Sequence, residues 1–332
     1  DSGSVIYSFI TMSLIHLLED KHRGSVIRET VLQLAQTDKN FAHQWFVHLF
    51  RCEASEEEII LASAYCFHWK IYNLTTLSLL IDEEIPSNKE GGKNCLKLDA
   101  LTLLLPGVDE VAFMDFVSFV LTLLNRNSEL IEQYEVAKVF DSKLSTALFE
   151  KIIKQVEPEL KDVTLFGQQG AGSQDHSIRN NSQFFTPLPN LSIELAILER
   201  AAANALGCSI QFAEPPVILR YQPRQYYHWH YDYIHPHNAQ IKIQIGQFGQ
   251  RVKTAILNLN DDFIGGETEF KQPNVSLKPQ SGQIITFDNA DEQGNRIVKS
   301  IHRGKEVTEG KKWIMTLWFR DKPYWLRSPL LS

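Results

Sequence analysis

Apolar residues recur at helical spacing from Val5 to about Arg126. Segments with three- and four-residue apolar spacing predict helices in that region, and they are Ser25–Leu34, Phe41–Phe50, a segment that starts after Ser55 and runs to about Trp69, and Val108–Asn125. Ser55 followed by Glu58 is a capping-box start. No fixed repeat period joins these segments, so they predict a bundle or degenerate helical repeats of unassigned role.

The periodicity changes along the rest of the chain. A strand is predicted at Tyr134–Phe140, a helix at Lys143–Val156 and another at Leu191–Leu206, which ends at Gly207. After Pro216 short alternating segments predict strands, and they are Val217–Tyr221, Tyr226–Tyr233, Lys253–Leu259, Glu267–Phe270, Gln283–Phe287, Ile297–His302 and Trp313–Arg320. Short strands separated by turn signals favour a double-stranded jelly roll.

The expected fold is therefore α+β. Residues 1–130 form an all-helical domain, and residues 131–332 form a double-stranded β-helix (jelly-roll) domain with flanking helices. A length of 332 residues fits two domains, and 43% hydrophobic with 22% charged residues is typical of globular proteins.

Net charge and cysteine content limit the partners and the cellular compartment that are expected. A net charge of −7 argues against a nucleic-acid partner. The apolar run Val5–Leu18 contains polar residues, is too short to cross a bilayer and lacks the features of a signal peptide, so no membrane association is expected. Four scattered cysteines predict reduced thiols and a cytoplasmic protein, and they are Cys52, Cys66, Cys95 and Cys208. No oligomeric state is predicted.

The stretch Tyr226–Tyr233 carries the first candidate chemistry. In an extended chain alternate side chains share a face, so His230 and Asp232 point the same way. One imidazole and one carboxylate make part of a 2-His-1-carboxylate site for non-haem Fe(II), although surface strands also contain such pairs. His228 would share that face, but no glutamate follows to complete a cupin-like site, so it is expected near the metal or the substrate.

A third ligand and an anion partner lie further along the chain. Beyond His237 the only histidine is His302, which makes it the candidate ligand. Thr308–Gly310 predicts a turn, and every second residue from Lys312 to Trp318 shares a face of the strand that follows. A lysine on a strand that returns past a metal-bound histidine suits an ion pair with the far carboxylate of a chelating dicarboxylate.

Together these residues resemble the prolyl 4-hydroxylase-like branch of the Fe(II)/2-oxoglutarate-dependent dioxygenases. The run Tyr-x-x-Gly-Gln-x-Tyr-x-x-His-x-Asp is matched by Tyr221, Gln225, Tyr227, His230 and Asp232. The run His-x-Gly-x-x-Val-x-x-Gly-x-Lys is matched by His302, Gly304, Val307, Gly310 and Lys312. The resemblance covers roughly Tyr134 to the C-terminus and includes Gly249–Arg251, Leu259–Asp261 and Gly265–Phe270. One departure is Arg224, which stands where the family has glycine.

The resemblance implies roles for individual residues. His230, Asp232 and His302 would bind Fe(II), and Lys312 and Tyr221 would hold the distal carboxylate of 2-oxoglutarate. Further residues would line the co-substrate pocket, namely Thr254 and Trp318, or contact the substrate, namely His228, Arg251 and Tyr227. Dioxygen would be the second co-substrate, and ascorbate is a candidate reductant.

The implied reaction is hydroxylation of an unactivated C–H bond, with a prolyl residue of a peptide or protein as the substrate. Two alternatives stay open at this point. The substrate could instead be a free amino acid or a natural-product intermediate. In a different class of function, the jelly roll would hold a metal without turnover and the helical half would be the functional part.

Overall fold

The computed structural model describes residues 24–81, 109–162, 180–185 and 192–324. The described residues group into two compact units. One comprises those up to Arg126 together with residues 192–200, and the other comprises the rest, from Asn127 onward. The domain boundary at residue 130 remains a prediction. The run Val5–Leu18 lies outside the described residues, and no helix among the described ones has the length and apolar character to cross a membrane.

The first unit is helical, as its apolar spacing predicts. Its helices are α1 (Gly24–Thr37), α2 (Lys39–His48), α3 (Glu56–His68), α4 (Leu74–Ser78), α5 (Glu110–Leu124) and the part of α7 (Ile193–Leu206) up to Arg200. The side chains of Asp38, Ser55 and Asp109 accept hydrogen bonds from backbone N–H groups at three helix starts. Large aromatic side chains fill the core, among them Phe41, Trp45, Phe46, Tyr65 and Phe116.

Two arginines with buried side chains tie α7 to the other helices of this unit. Arg51 Nη2 lies 3.0 Å from Glu199 Oε1, and the side chains are only 4% and 0% exposed. Arg200 donates from Nε and Nη2 to the carbonyl oxygens of Phe50 and Leu49. Because the Arg51–Glu199 ion pair is largely shielded from water, removing one partner would leave the charge of the other buried and would lower the stability of the fold.

All fourteen strands of the described residues lie in the second unit, where they form three antiparallel sheets. The eight-stranded sheet has the order β1-β2-β11-β7-β14-β5-β4-β3, the four-stranded sheet β10-β9-β12-β6, and the two-stranded sheet β13-β8. The strands are β1 (Glu129–Gln133), β2 (Lys138–Asp141), β3 (Lys161–Asp162), β4 (Ser182–Phe185), β5 (Val217–Tyr221), β6 (Tyr227–His230), β7 (Arg251–Asn258), β8 (Phe263–Gly265), β9 (Thr268–Phe270), β10 (Val275–Leu277), β11 (Gln283–Asp288), β12 (His302–Gly304), β13 (Val307–Gly310) and β14 (Lys312–Arg320). The helices of this region are α6 (Thr146–Val156), α8 (Ala239–Phe248) and the end of α7.

One apolar core receives side chains from all three sheets. Leu219 and Ile285 come from the eight-stranded sheet, Phe270 from the four-stranded sheet and Val307 from the two-stranded sheet. Two facing antiparallel sheets with a shared interior form a jelly roll. The predicted α+β class, with helices before a double-stranded β-helix, is confirmed.

Three local predictions were wrong. Tyr134–Phe140 is not one strand, because Tyr134 N–H donates to the Ala137 carbonyl and closes a hairpin between β1 and β2. Thr308–Gly310 is not a turn, because these residues belong to β13, which pairs with β8. Val298–Ser300 forms a short 3-10 helix, so β12 begins only at His302.

Helix α8 was not predicted. The alternation of Ile241, Ile243 and Ile245 with polar residues is typical of a strand, yet Asn238 caps a helix by accepting from Ile241 N–H at 2.8 Å. The segment that contains α8 is closed at its base by Gln250. Its side-chain amide donates to the carbonyl of Ile234 and its side-chain oxygen accepts from the N–H of Ile234, both at 2.8 Å.

Arg224 has the left-handed backbone conformation that glycine favours. Gln225 N–H donates to the Gln222 carbonyl at 2.9 Å, and Arg224 has a φ of 70°. Pro223 before a residue with positive φ gives the pattern of a type II turn, whose third position favours glycine. The turn is fixed from outside as well, because Arg224 N–H donates to Val307 O at 2.8 Å.

Candidate active site

The three predicted metal ligands meet at one end of the four-stranded sheet. Cross-strand pairing sets His302, the first residue of β12, directly opposite His230, the last residue of β6. Asp232 follows β6 by two residues. One potential ligand atom from each residue lies within 4.8 Å of the others, and this is the only cluster of its kind in the described part of the chain.

Backbone carbonyls orient both imidazoles. His230 Nδ1 lies 2.8 Å from the carbonyl oxygen of His228, and His302 Nδ1 lies 2.9 Å from that of Ser300. A carbonyl oxygen only accepts, so each Nδ1 donates its proton to the backbone and each Nε2 is the ring nitrogen on the side of Asp232. The two Nε2 atoms lie 3.6 and 3.8 Å from oxygens of Asp232, so all three donors converge.

Asp232 is buried with its charge retained. Its exposed fraction is only 7%, and Thr254 Oγ1 donates to Oδ2 at 2.8 Å. Burial alone would raise the pKa of Asp232, but electrostatic interactions with His302, His230 and Arg251, with the Thr254 hydrogen bond, hold it below its ordinary value. The carboxylate is therefore ionised and able to bind a cation at neutral pH.

Strict alternation along β6 does not hold. Gly304 pairs with Tyr227 while His302 pairs with His230, so the register shifts within β6. Tyr227 consequently stacks on the His230 ring, with centroids 3.5 Å apart and an angle of 16° between the ring planes. His228, expected on the metal-facing side, is exposed and its ring contacts Tyr226 instead. The irregular register is the physical reason for this correction.

Lys312 lies in the same cavity as the triad. It is only 3% exposed, pairs across strands with Tyr221, and donates from Nζ to the carbonyl of Gly266 at 2.6 Å. Burial lowers the pKa of Lys312 to about 8, partly offset by Glu267 and reinforced by Lys278. A buried ammonium beside the triad is suited to an anionic ligand.

The cavity wall includes residues to which no role was assigned from the sequence. Tyr221, Tyr227 and Trp318, which were given roles from the sequence, line the cavity, and so do Leu219, Ile256, Thr268, Gly304, Ile314 and Thr316. Thr268 lies on β9 opposite Gly304. The motif Gly265–Phe270 was the available signal for Thr268, because it holds both this threonine and the glycine that binds Lys312. Thr254 is not part of the wall, because its hydroxyl is directed to Asp232.

Arg251, which was expected to contact the substrate, is bound to other residues of the protein. Its Nε and Nη2 atoms bind both oxygens of Glu214, at 2.6 and 2.8 Å, and its guanidinium carbon lies 3.8 Å from the centroid of the Trp318 ring. Arg320 binds the same Glu214. Arg251 therefore supports a wall of the cavity from behind, and nothing in the sequence pattern points to Glu214 as its partner.

The donor set fits a ferrous ion and a dicarboxylate. Two imidazoles and one carboxylate form the 2-His-1-carboxylate set of non-haem Fe(II) oxygenases, which leaves coordination positions for other ligands. The buried Trp318 Nε1 has no partner among the described residues, and the Lys312 ammonium is not paired with a carboxylate there. Both donors are available to an anion bound next to the metal.

Comparisons with known proteins identify the same region. The family model of the 2OG-Fe(II) oxygenase superfamily matches residues 216–320. The chain is similar to a putative prolyl 4-hydroxylase of Acanthamoeba polyphaga mimivirus, with 28% identity over 208 residues, which is 61% of this chain and 85% of the relative. It is also similar to prolyl 4-hydroxylase 13 of Arabidopsis thaliana, with 30% identity over 190 residues, 53% of this chain and 67% of the relative.

A solved structure is also similar. It is the viral collagen prolyl hydroxylase of Paramecium Bursaria Chlorella virus-1 in complex with 2OG, with 25% identity, a TM-score of 0.43, and coverage of 56% of this chain and 96% of that one. The sequence relatives and the family model agree with the donor set and the jelly roll described above. The chain belongs to the 2OG-Fe(II) oxygenase superfamily, in its prolyl 4-hydroxylase-like branch, and is an Fe(II)- and 2-oxoglutarate-dependent dioxygenase.

Proposed function

We propose that this dioxygenase hydroxylates a prolyl residue in a peptide or protein, with His230, Asp232 and His302 as its iron ligands. The observation that carries the proposal is the convergence of the three donors in one cavity with the buried Lys312. A metal site alone is compatible with many functions, but a buried ammonium beside it can form an ion pair with a negatively charged co-substrate. The choice of a prolyl substrate is supported by the relatives, which are named prolyl 4-hydroxylases.

The protein contributes orientation at the metal. When bound, Fe(II) would supply the redox chemistry by which dioxygen and 2-oxoglutarate are converted to succinate and carbon dioxide while one oxygen atom enters a substrate C–H bond. The Nδ1–H groups of His230 and His302 donate to backbone carbonyls, which would orient both Nε2 atoms for binding Fe(II). Stacking of Tyr227 on His230 restricts rotation of that ring.

The same cavity would hold 2-oxoglutarate. Lys312 would form an ion pair with the distal carboxylate, and the neighbouring Tyr221, Thr268 and Trp318 would donate hydrogen bonds or close the wall. Leu219, Ile256 and Ile314 supply an apolar lining between these groups. Apolar walls exclude water, which strengthens the ion pair between Lys312 and the carboxylate.

Turnover with matched peptides tests the proposal. The full chain is incubated with Fe(II), 2-oxoglutarate, oxygen and ascorbate, together with a library of proline-containing peptides and the same peptides with alanine at each proline. We expect succinate release that depends on proline and a product heavier by one oxygen atom, with the added oxygen located on proline by fragmentation. His302→Ala should be inactive, whereas Lys253→Met, a change in a partly exposed lysine paired with Asp288, should retain activity.

The two alternatives give different results in the same assay. Hydroxylation of free proline or another small molecule, without turnover of peptides, would show that the substrate is a small molecule and not a peptide. Metal binding without succinate formation under any of these conditions would show that the protein is a non-catalytic metal-binding module.

We also propose a cytoplasmic location, which rests on the scattered cysteines. Cys52, Cys66 and Cys208, the cysteines in the described residues, are not joined in disulfides. Fluorescence microscopy of the tagged full-length protein in its own cell would test the location, and a signal confined to another compartment would contradict it.

A further inference from the structure

A chain of two side-chain hydrogen bonds ends on the carboxylate of Asp232. Thr254 Oγ1 donates to Asp232 Oδ2 at 2.8 Å. Asn289 Nδ2 in turn donates to Thr254 Oγ1, also at 2.8 Å. Thr254 and Asn289 are fully buried, with an exposed fraction of 0%. Neither residue belongs to the metal triad, and neither lines the cavity.

The direction of both hydrogen bonds follows from the chemistry of the three groups. The ionised carboxylate of Asp232 only accepts, so the single hydroxyl proton of Thr254 is directed to it. The Thr254 oxygen must then accept from its other neighbour, which requires the Asn289 amide to present its nitrogen. The opposite amide orientation would bring two acceptor oxygens together. With its nitrogen toward Thr254, Asn289 supports the orientation in which the Thr254 hydroxyl donates to Asp232.

The backbone holds this chain of bonds in place. Phe287 on β11 pairs with Thr254 on β7, so Asn289 follows immediately after the paired region. Asn289 N–H donates to Val252 O at 2.7 Å, and Asn289 O accepts from Ile297 N–H at 2.9 Å. A residue fixed by its backbone on both sides has little freedom to move its side chain.

We propose that Thr254 and Asn289 are positioning residues for the metal site, a role that rests on the proposed function. By occupying Oδ2, they fix the side-chain rotation of Asp232 and leave Oδ1 as the oxygen presented to the ion together with the Nε2 atoms of His230 and His302. Without them the carboxylate can rotate about its terminal bond, and it has to be ordered each time a metal binds.

Substitutions at Thr254 separate this role from simple packing. Thr254→Val has nearly the same shape but no hydroxyl, and we expect it to weaken Mn(II) binding about 10- to 100-fold, the range found when hydrogen bonds behind metal ligands are removed. Thr254→Ser restores the hydroxyl and should bind Mn(II) within about threefold of wild type, since the donor to Asp232 is retained. The control is Thr286→Val, which removes the hydroxyl of a buried threonine on β11 and should leave Mn(II) affinity unchanged.

A double-mutant cycle tests whether the two residues act as one chain. Asn289→Ala should weaken Mn(II) binding less than Thr254→Val, because the threonine proton can still reach Asp232 without being directed. The variant that combines both changes should bind Mn(II) no more weakly than Thr254→Val alone. Independent, additive losses would show that Asn289 does not act through Thr254 and would overturn that part of the proposal.

The readouts are the dissociation constant for Mn(II), measured by calorimetry on the full chain, and the melting temperature of the metal-free protein. A packing role predicts similar falls in melting temperature for Thr254→Val and Thr286→Val and equal Mn(II) affinity, which would overturn the proposal. Weak binding by Thr254→Ser would also overturn it, because the hydroxyl would then not be the cause. If wild type itself fails to bind Mn(II) at the triad, the proposed function fails instead, so the two failures are distinguishable.

Discussion

Replacing Lys312 by methionine removes one charge from the cavity with little change of shape. The structure gives the ammonium group a buried position and a hydrogen bond to the Gly266 carbonyl. If the group anchors 2-oxoglutarate, Lys312→Met removes a charge-assisted hydrogen bond of about 1.5–3 kcal/mol. At about 1.4 kcal/mol for each factor of ten, the dissociation constant for 2-oxoglutarate should rise about 10- to 100-fold.

The pH dependence gives a second, independent magnitude. The pKa of Lys312 is lowered to about 8, so the protonated fraction, which binds a carboxylate, falls as the pH rises above that value. From pH 7 to pH 9 it falls about tenfold, and the wild-type dissociation constant should rise by about the same factor. Lys312→Arg carries a charge throughout this range, and Lys312→Met carries none. Both variants should therefore lack this pH dependence.

As the pH rises, the affinity for 2-oxoglutarate should fall, whereas the stability of the ligand-free protein should increase. The folded-state pKa of about 8 lies below the ordinary value of 10.5, so folding with a charged Lys312 is unfavourable below pH 8 and the penalty disappears as the pH rises through 10.5. The difference corresponds to about 3 kcal/mol. At pH 7 the ligand-free Lys312→Met protein should thus be more stable than wild type, although it binds 2-oxoglutarate more weakly.

Calorimetric titration of 2-oxoglutarate into the Mn(II)-loaded protein without oxygen, at pH 7, 8 and 9, measures these constants. Urea unfolding of the metal-free protein measures stability. Lys253→Met is the matched control, because that lysine is 37% exposed and pairs with Asp288. Unchanged affinity in Lys312→Met, or a wild-type constant that does not vary with pH, would refute the assignment of Lys312 as the carboxylate anchor.

Three further predictions concern metal binding, the helical unit and one turn. His302→Ala should lose Mn(II) binding and turnover, because two donors remain; calorimetry that shows wild-type affinity would exclude His302 as a ligand. A fragment that begins at Asn127 should be insoluble, because Glu199 loses its ion-pair partner Arg51. Removal of one partner of a buried ion pair lowers the free energy of unfolding by about 3–5 kcal/mol. A soluble, folded fragment would contradict this prediction. Arg224→Gly should stabilise the protein by about 1 kcal/mol by relieving a left-handed residue, and a lower urea midpoint would show that the arginine side chain itself holds the turn.

The elements best predicted from the sequence are those whose pattern is set by the interior. Val217–Tyr221 matches β5 residue for residue, because inward-facing apolar residues and the turn at Pro223 define it. Helix α8 was missed because its isoleucines alternate as in a strand, while the helix is fixed by the Asn238 cap and by long-range contacts such as that of Lys322 with the Gly246 carbonyl. Single-sequence periodicity contains no information on such contacts.

For the site, the chemistry was predictable and the surroundings were not. The triad and Lys312 were predicted from residue type and spacing together with the family motifs, and the structure brings them into one cavity. The face occupied by His228 was wrong because one irregularity in β6 changes which side chains point inward. Asn289 and Glu214 could not be found, because each acts through a partner that is distant in sequence, at Thr254 and Arg251 respectively.

The side chain of Gln250 closes the segment that contains α8 with two hydrogen bonds to Ile234. A loop whose two ends are held together can change in length at little cost in free energy, because closure is already established at its base. The spacing from His302 to Lys312, in contrast, is fixed by cross-strand pairs at both ends, and a deletion of one residue would turn a side chain to the wrong face. We therefore expect insertions or deletions within residues 235–249 to leave the fold intact, whereas a change of length between His302 and Lys312 should disrupt the site.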